Sequence, residues 1–208
     1  MSTTDAVTFW NGVYADRQAA ADPRPNDLLA ETVSSLSPGD ALDLGCGDGG
    51  DALWLARRGW HVTAVDISAV AIERLISLAI SRDLGDRIVA ERHDLHESFP
   101  QGGFDLICAH YLHTPFDLDR ATVLRVGAHA LRPGGRLLVV DHGSTAPWSW
   151  NQDPGLRYPT PHEVAAEIGL DRTTWRVERA DAPRRSATGP DGRTAEVTDN
   201  VLLIRRTA

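Results

Sequence analysis

The chain contains no lysine. All 21 of its basic residues are arginine, and 29 acidic residues outnumber them, for a net charge of −8 over 208 residues. Phosphate backbones are bound by excess positive charge, so no nucleic-acid partner is expected. The same deficit disfavours polyanionic substrates and anionic membrane surfaces, and leaves small neutral or cationic partners open. Cysteine is scarce. Cys46 and Cys108 both sit in apolar, strand-like runs, without a CxxC or Cys/His partner at ligand spacing. They read as reduced, packed thiols of a cytoplasmic protein, and no metal is expected. No apolar run approaches the ~20 residues that cross a bilayer. The polar, acidic start Met1-Ser2-Thr3-Thr4-Asp5 has none of the marks of a signal peptide.

What is present is a chain of one-domain length with 42% apolar residues, enough for a full core. Residues 8–20 read as a helix carrying Phe9, Trp10, Val13 and Tyr14 at helical spacing. Asp22-Pro23-Arg24-Pro25-Asn26 breaks it, and Asn26 caps a second helix through Leu28, Leu29 and Val33. Strands and helices then alternate: strand 41–45, helix 49–59, strand 61–66, helix 69–81, strands 87–93 and 104–110, helix 118–131. The turn Arg132-Pro133-Gly134-Gly135 leads into strand 136–142. Nearly continuous apolar strands between helices predict a parallel sheet covered on both faces. The tail differs. A Trp- and Pro-rich loop (147–159) precedes a helix at 161–169 capped by Thr160. Two β-like runs, 173–182 and 194–206, flank Gly189-Pro190-Asp191-Gly192 and read as an antiparallel hairpin at one sheet edge.

The chemistry concentrates at the first βαβ unit. Ala41-Leu42-Asp43-Leu44 ends in Gly45-Cys46-Gly47-Asp48-Gly49-Gly50, where the main chain can approach a ligand with no Cβ in the way. Asp43 precedes the turn, and Asp66 closes the next strand. Strand, glycine turn, helix, strand, acid is the order of a nucleoside-binding unit. Gly45 to Gly50 also satisfies G-x-G-x-x-G, so a nicotinamide oxidoreductase is one alternative. A non-catalytic cofactor-binding module is another.

Four ordered motifs carry a resemblance to class I S-adenosylmethionine-dependent methyltransferases over nearly the whole chain. Asp43-Leu44-Gly45-Cys46-Gly47-Asp48-Gly49 is similar to that family's D-x-G-x-G-x-G loop, and Val65-Asp66-Ile67-Ser68 to its second motif. Asp94-Leu95 follows the third strand, and Leu131-Arg132-Pro133-Gly134-Gly135-Arg136-Leu137 resembles its L-x-P-G-G-x-L turn. The helix bearing Trp10 and Tyr14 looks like the tellurite-resistance and thiopurine methyltransferase-like branches. The resemblance implies a Rossmann-like, seven-stranded, mostly parallel sheet with a C-terminal antiparallel hairpin. It also implies S-adenosylmethionine as cofactor, S-adenosylhomocysteine as product, and a small-molecule methyl acceptor. Residues 1–38 would form a helical lid, 39–143 the cofactor-binding core, and 144–208 the substrate loop and hairpin.

Residue by residue, Gly45, Cys46, Gly47 and Gly49 are expected along the methionyl part of the cofactor. Asp43 is expected near its ammonium, Asp66 on both ribose hydroxyls, Ile67 on one adenine face, and Asp94 and Leu95 on the adenine edge. His110, Trp10 and Tyr14 complete the expected cofactor contacts. A sulfonium is already a good leaving group, so a base is needed only where the acceptor carries a proton; His113 and His142, beyond strands four and five, are the candidates. Trp148, Trp150, Arg157 and Tyr158 are expected to join Trp10 and Tyr14 as an aromatic lid over the acceptor. The Asn/Asp-Pro-Pro-aromatic motif of adenine and glutamine-amide methyltransferases is missing, as is the Pro-Cys of cytosine enzymes. The acceptor's attacking atom and the oligomeric state are left open by the sequence.

Overall fold

The structure, a computed structural model, describes every residue except 1, 2, 19, 150, 154 and 190, and describes residues 3 and 4 by their backbone alone. Strands β1 (Asp40–Leu44), β2 (His61–Asp66), β3 (Ile88–Arg92), β4 (Phe104–His110) and β5 (Leu131–His142) run parallel, in the spatial order β3-β2-β1-β4-β5. Parallel neighbours need crossovers, and after β1, β2 and β4 these are α3 (Gly50–Arg57), α4 (Ala69–Ile80) and α5 (Arg120–Ala130). Helices cover both faces, so a central strand has no solvent side. Residues 41–44 and 106–109 are accordingly buried without interruption. With α2 (Asp27–Val33), helices α3 and α4 pack Leu29, Leu53, Leu55 and Leu75 on one face. Helices α5 and α6 (Pro161–Ile168) pack Leu124, Val164 and Ile168 on the other.

Helix starts follow side chains that accept from otherwise free N–H groups. Asn26 accepts from Leu28, Ser68 from Ala71 and Asp119 from Thr122, and Thr160 and Glu163 cap each other reciprocally. The first helix, α1 (Thr3–Asp16), starts and ends earlier than the expected 8–20. Asp5 in its first turn suits the positive end of the helix. The Pro-Gly-Gly turn is a bulge rather than a lead-in. Leu131 pairs with Phe104 and Arg136 with Leu106, so Arg132 to Gly135 stand opposite Asp105 alone, and Gly134 takes up the turn at φ +89°.

The tail is as expected with one strand added. The run 173–182 forms β6 (Trp175–Asp181), which pairs antiparallel with β8 (Thr194–Arg206) as the last two strands of the sheet. The connection between them holds a further strand, β7 (Arg184–Thr188), which makes a hairpin with the first part of β8. Strand β8 itself lies inside the sheet, antiparallel, between β5 and β6. Its run Val201-Leu202-Leu203-Ile204 is buried throughout, which an edge position does not permit. His142 of β5 pairs with Asp199, so residues 194–198 and β7 stand out past the carboxyl ends of the parallel strands.

Candidate active site

Two cavities open beyond those carboxyl ends and share a wall at Gly45 and Tyr111. The larger, of about 480 Å³, is lined by Trp10, Tyr14, Asp66, Ile67, Asp94, Leu95 and the segment 111–118. The second, of about 410 Å³, is lined by Cys46, Asp48, Gly50, Asp51, His110 and the α1–α2 linker. Such a position is where open α/β sheets bind ligands.

The glycine turn makes this space. Gly45, Gly47 and Gly49 all have positive φ. A Cβ on Gly45 would lie 2.8 Å from Leu112 Cδ1, and one on Gly47 3.0 Å from the Tyr14 hydroxyl. At Gly47 the φ of +51° and the close approach together leave glycine as the residue that fits. Asp66, 7% exposed, accepts from Gly47 N at 3.0 Å and Ser68 N at 2.9 Å. Those bonds orient the carboxylate, while burial pushes its pKa up despite them. Asp43 lies beneath the turn and lines neither cavity. One of its oxygens has no partner, and burial followed by the charges of Asp51 and Asp66 raises its pKa well above the ordinary value. His110 donates from Nδ1 to Asp51 at 2.7 Å, and its buried Nε2, in the wall of the second cavity, is left without a protein partner. The orphaned His110 Nε2, beside a cradle that excludes Cβ atoms, fits the ammonium-bearing end of S-adenosylmethionine.

The roof is α1. Asn11 accepts from the Ser68 hydroxyl at 2.9 Å, and Trp10 donates from Nε1 to Thr114 at 3.2 Å. Phe9 packs edge-on to Phe116. Helix α1 and the segment after β4 therefore close one cavity between them, with Trp10 and Tyr14 on its inner side. The sequence marks Thr114, Phe116 and Leu118 only faintly, by apolar Phe116 and Leu118 in a stretch otherwise largely polar.

Past β4 and β5 the rings stack. Tyr111 lies on His142 with centroids 4.4 Å apart, and His142 is 6.1 Å from His113. His113 lines the larger cavity and its Nε2 is 3.3 Å from Asp141. Burial would raise the Asp141 pKa, but His113 and the Arg120 guanidinium, 2.6 Å from each carboxylate oxygen, hold it below the usual range. His142 lines neither cavity. Loss of hydration on its stacked faces, then the neighbouring His113, pushes its pKa down. The expected aromatic lid is corrected as well. Trp148 packs against Gly189, the Tyr158 hydroxyl bonds Thr145, and Arg157 pairs with Glu163 at the surface. None of these three lines a cavity with Trp10 and Tyr14. Trp150, also expected in that lid, is outside the described residues. No helix among the described residues is long and apolar enough to cross a membrane.

Comparisons with known proteins agree with this geometry. Residues 41–135 match the family model described as "Methyltransferase domain". The chain is 36% identical over 137 residues to the 27-O-demethylrifamycin SV methyltransferase of Amycolatopsis mediterranei (strain S699), covering 64% of this chain and 49% of that protein. It is 39% identical over 124 residues to the ubiquinone biosynthesis O-methyltransferase of Xylella fastidiosa (strain M23), covering 58% and 48%. It thus spans about half the length of the curated relatives it matches. A solved structure described as "Conversion of a Disulfide Bond into a Thioacetal Group during Echinomycin Biosynthesis" superposes with a TM-score of 0.70 at 24% identity, covering 97% of this chain and 91% of that one; this likeness concerns the fold. The six-strand order of dinucleotide-binding folds has no antiparallel strand where β8 lies, which sets the nicotinamide alternative aside. Over residues 41–135 the chain is thus similar to a methyltransferase domain, in keeping with the motifs that resemble the class I S-adenosylmethionine-dependent methyltransferases.

Proposed function

We propose that the protein transfers a methyl group from S-adenosylmethionine to a small-molecule acceptor, as a cytoplasmic enzyme without a nucleic-acid or membrane partner. The observation that carries this reading is the pair of cavities meeting at Gly45 and Tyr111. Asp66, Ile67, Asp94 and Leu95 suit an adenosyl group on one side of the junction. The glycine turn with His110 and Asp51 suits an amino-acid group on the other.

When bound, the cofactor supplies a methyl group already activated on a sulfonium. The protein's tasks are then to hold the acceptor in line, ~3–3.5 Å away, and to keep water out. Helix α1 and residues 111–118 serve the second task by covering the larger cavity. For an acceptor that carries a proton, His113 is placed to take it. Its Nε2 lies 3.3 Å from Asp141, and Arg120 fixes that carboxylate beside the ring. His142 serves as backing for Tyr111 rather than as a base.

Calorimetric titration with S-adenosylhomocysteine tests the site. Asp66→Ala leaves two ribose hydroxyls without their carboxylate, and more than tenfold weaker binding is expected. An unchanged dissociation constant would remove Asp66 from the site. Screening metabolite pools with the cofactor for products heavier by one methylene then identifies the acceptor.

A further inference from the structure

Among the described residues, Tyr111 and Gly45 alone border both cavities. The Tyr111 backbone has φ +51°, a conformation uncommon for a residue with a Cβ and held only where the surroundings over-determine it. Here they do. Its N–H donates to Val140 O at 2.8 Å, and its carbonyl accepts from His113 N at 2.8 Å. Its hydroxyl donates to Asp199 at 3.0 Å, with Arg185 at 3.3 Å behind it. Asp199 is 1% exposed, and Arg185 and Asp199 come from β7 and β8. One ring face is covered by His142. Among the described residues no second aromatic ring stacks on its other face, and the residue borders both cavities. Burial and the neighbouring Asp199 push the phenol up to about 12, so the ring is an uncharged π-system at neutral pH.

Resting on the proposed cofactor site, we propose that the free face of Tyr111 is a cation-binding surface for the sulfonium centre, selecting the charged cofactor over its neutral thioether product. A ring quadrupole attracts a cation held over its face, and the gain grows as water is excluded. A carboxyl group also borders each cavity, Asp66 the larger and Asp51 the second. The tyrosine hydroxyl is committed to the β7–β8 hairpin, which leaves the ring, not the oxygen, as the group offered to the ligand. The β7–β8 hairpin thereby acts as the mount that keeps this surface in place.

Two stable probes separate charge from shape. S-adenosylhomocysteine is neutral at sulfur, whereas sinefungin carries a protonated amine at the corresponding position. Both are titrated into the full-length protein and into Tyr111→Leu and Tyr111→Phe. The wild-type protein is expected to prefer sinefungin. Tyr111→Leu is expected to cut that preference by about 3- to 30-fold while changing S-adenosylhomocysteine affinity far less. Tyr111→Phe keeps the ring and is expected to keep the preference. An unchanged ratio in Tyr111→Leu, with both probes bound, overturns the inference. Equal weakening of both probes also overturns it, since that marks a merely structural residue. Failure of the wild-type protein to bind either probe overturns the cofactor site itself.

Discussion

Asp141 shows how a single buried charge is kept in this molecule. The carboxylate is almost fully buried at the end of β5, and a lone carboxylate there would face the full cost of desolvation. Arg120, 18% exposed at its side chain, touches both oxygens, and His113 touches one from the cavity side. Removing the arginine leaves the acid with a half-exposed imidazole alone. Arg120→Met is expected to destabilise the fold by about 2–4 kcal/mol at pH 7 in urea unfolding. The folded-state pKa of Asp141 lies below its unfolded value. Its stabilising contribution is therefore complete above about pH 4 and is lost as the pH falls through the folded pKa. The gap between wild type and variant should accordingly narrow in acid. A gap that stays constant from pH 7 to pH 3 would show that the pair does not supply the stability.

At the scale of elements, the linker between α1 and α2 is held by its backbone as well as by the Asp22 carboxylate, which pairs with Arg57 and Arg82. Asn26 N–H donates to Asp51 at 2.6 Å, and a Cβ on Gly50 would lie 2.1 Å from the Arg24 carbonyl oxygen. Gly50 has no unusual φ, so the requirement is one of approach alone. Gly50→Ala must push the linker off α3, at a cost of about 1–3 kcal/mol. Because that linker lines the second cavity, S-adenosylhomocysteine affinity should fall with it; calorimetry on the folded variant would contradict the argument if affinity held. This contact was invisible in the sequence, since 26 residues separate its partners. Local signals were legible. The apolar runs of β1, β2 and β4, the Asn26 and Thr160 caps and the acid ending β2 declare themselves within a few residues. Strand β7 did not. Arg184-Arg185-Ser186-Ala187-Thr188 has the composition of an exposed loop, and it is a strand because β8 offers it a partner. The interior position of β8 was written in Val201 to Ile204, a run too apolar for an edge. Trp148 illustrates the opposite limit: an aromatic in a loop carries no mark of what it will lie on, and this one covers the hairpin instead of the acceptor.

For the whole molecule, the sheet and the α1 cap are held by different kinds of contact. The central strands β1, β4 and β5 are buried on both faces, whereas α1 rests on α4 and on the segment after β4 through a few polar and aromatic contacts. A ligand spanning the two cavities touches the sheet, the glycine turn and the cap together, so it stabilises the folded state as a unit. At a concentration one hundred times its dissociation constant, S-adenosylhomocysteine contributes about 2.7 kcal/mol. In a domain of this length each kcal/mol moves the midpoint by about 2–4 °C, so a rise of roughly 5–11 °C is expected in a thermal melt. Asp66→Ala provides the control at the same ligand concentration. With tenfold weaker binding the contribution drops to about 1.4 kcal/mol, and the rise should be about halved. A rise equal in both proteins would mean that the ligand is held elsewhere than at the end of β2. No rise in either would mean that the two cavities do not form its binding site.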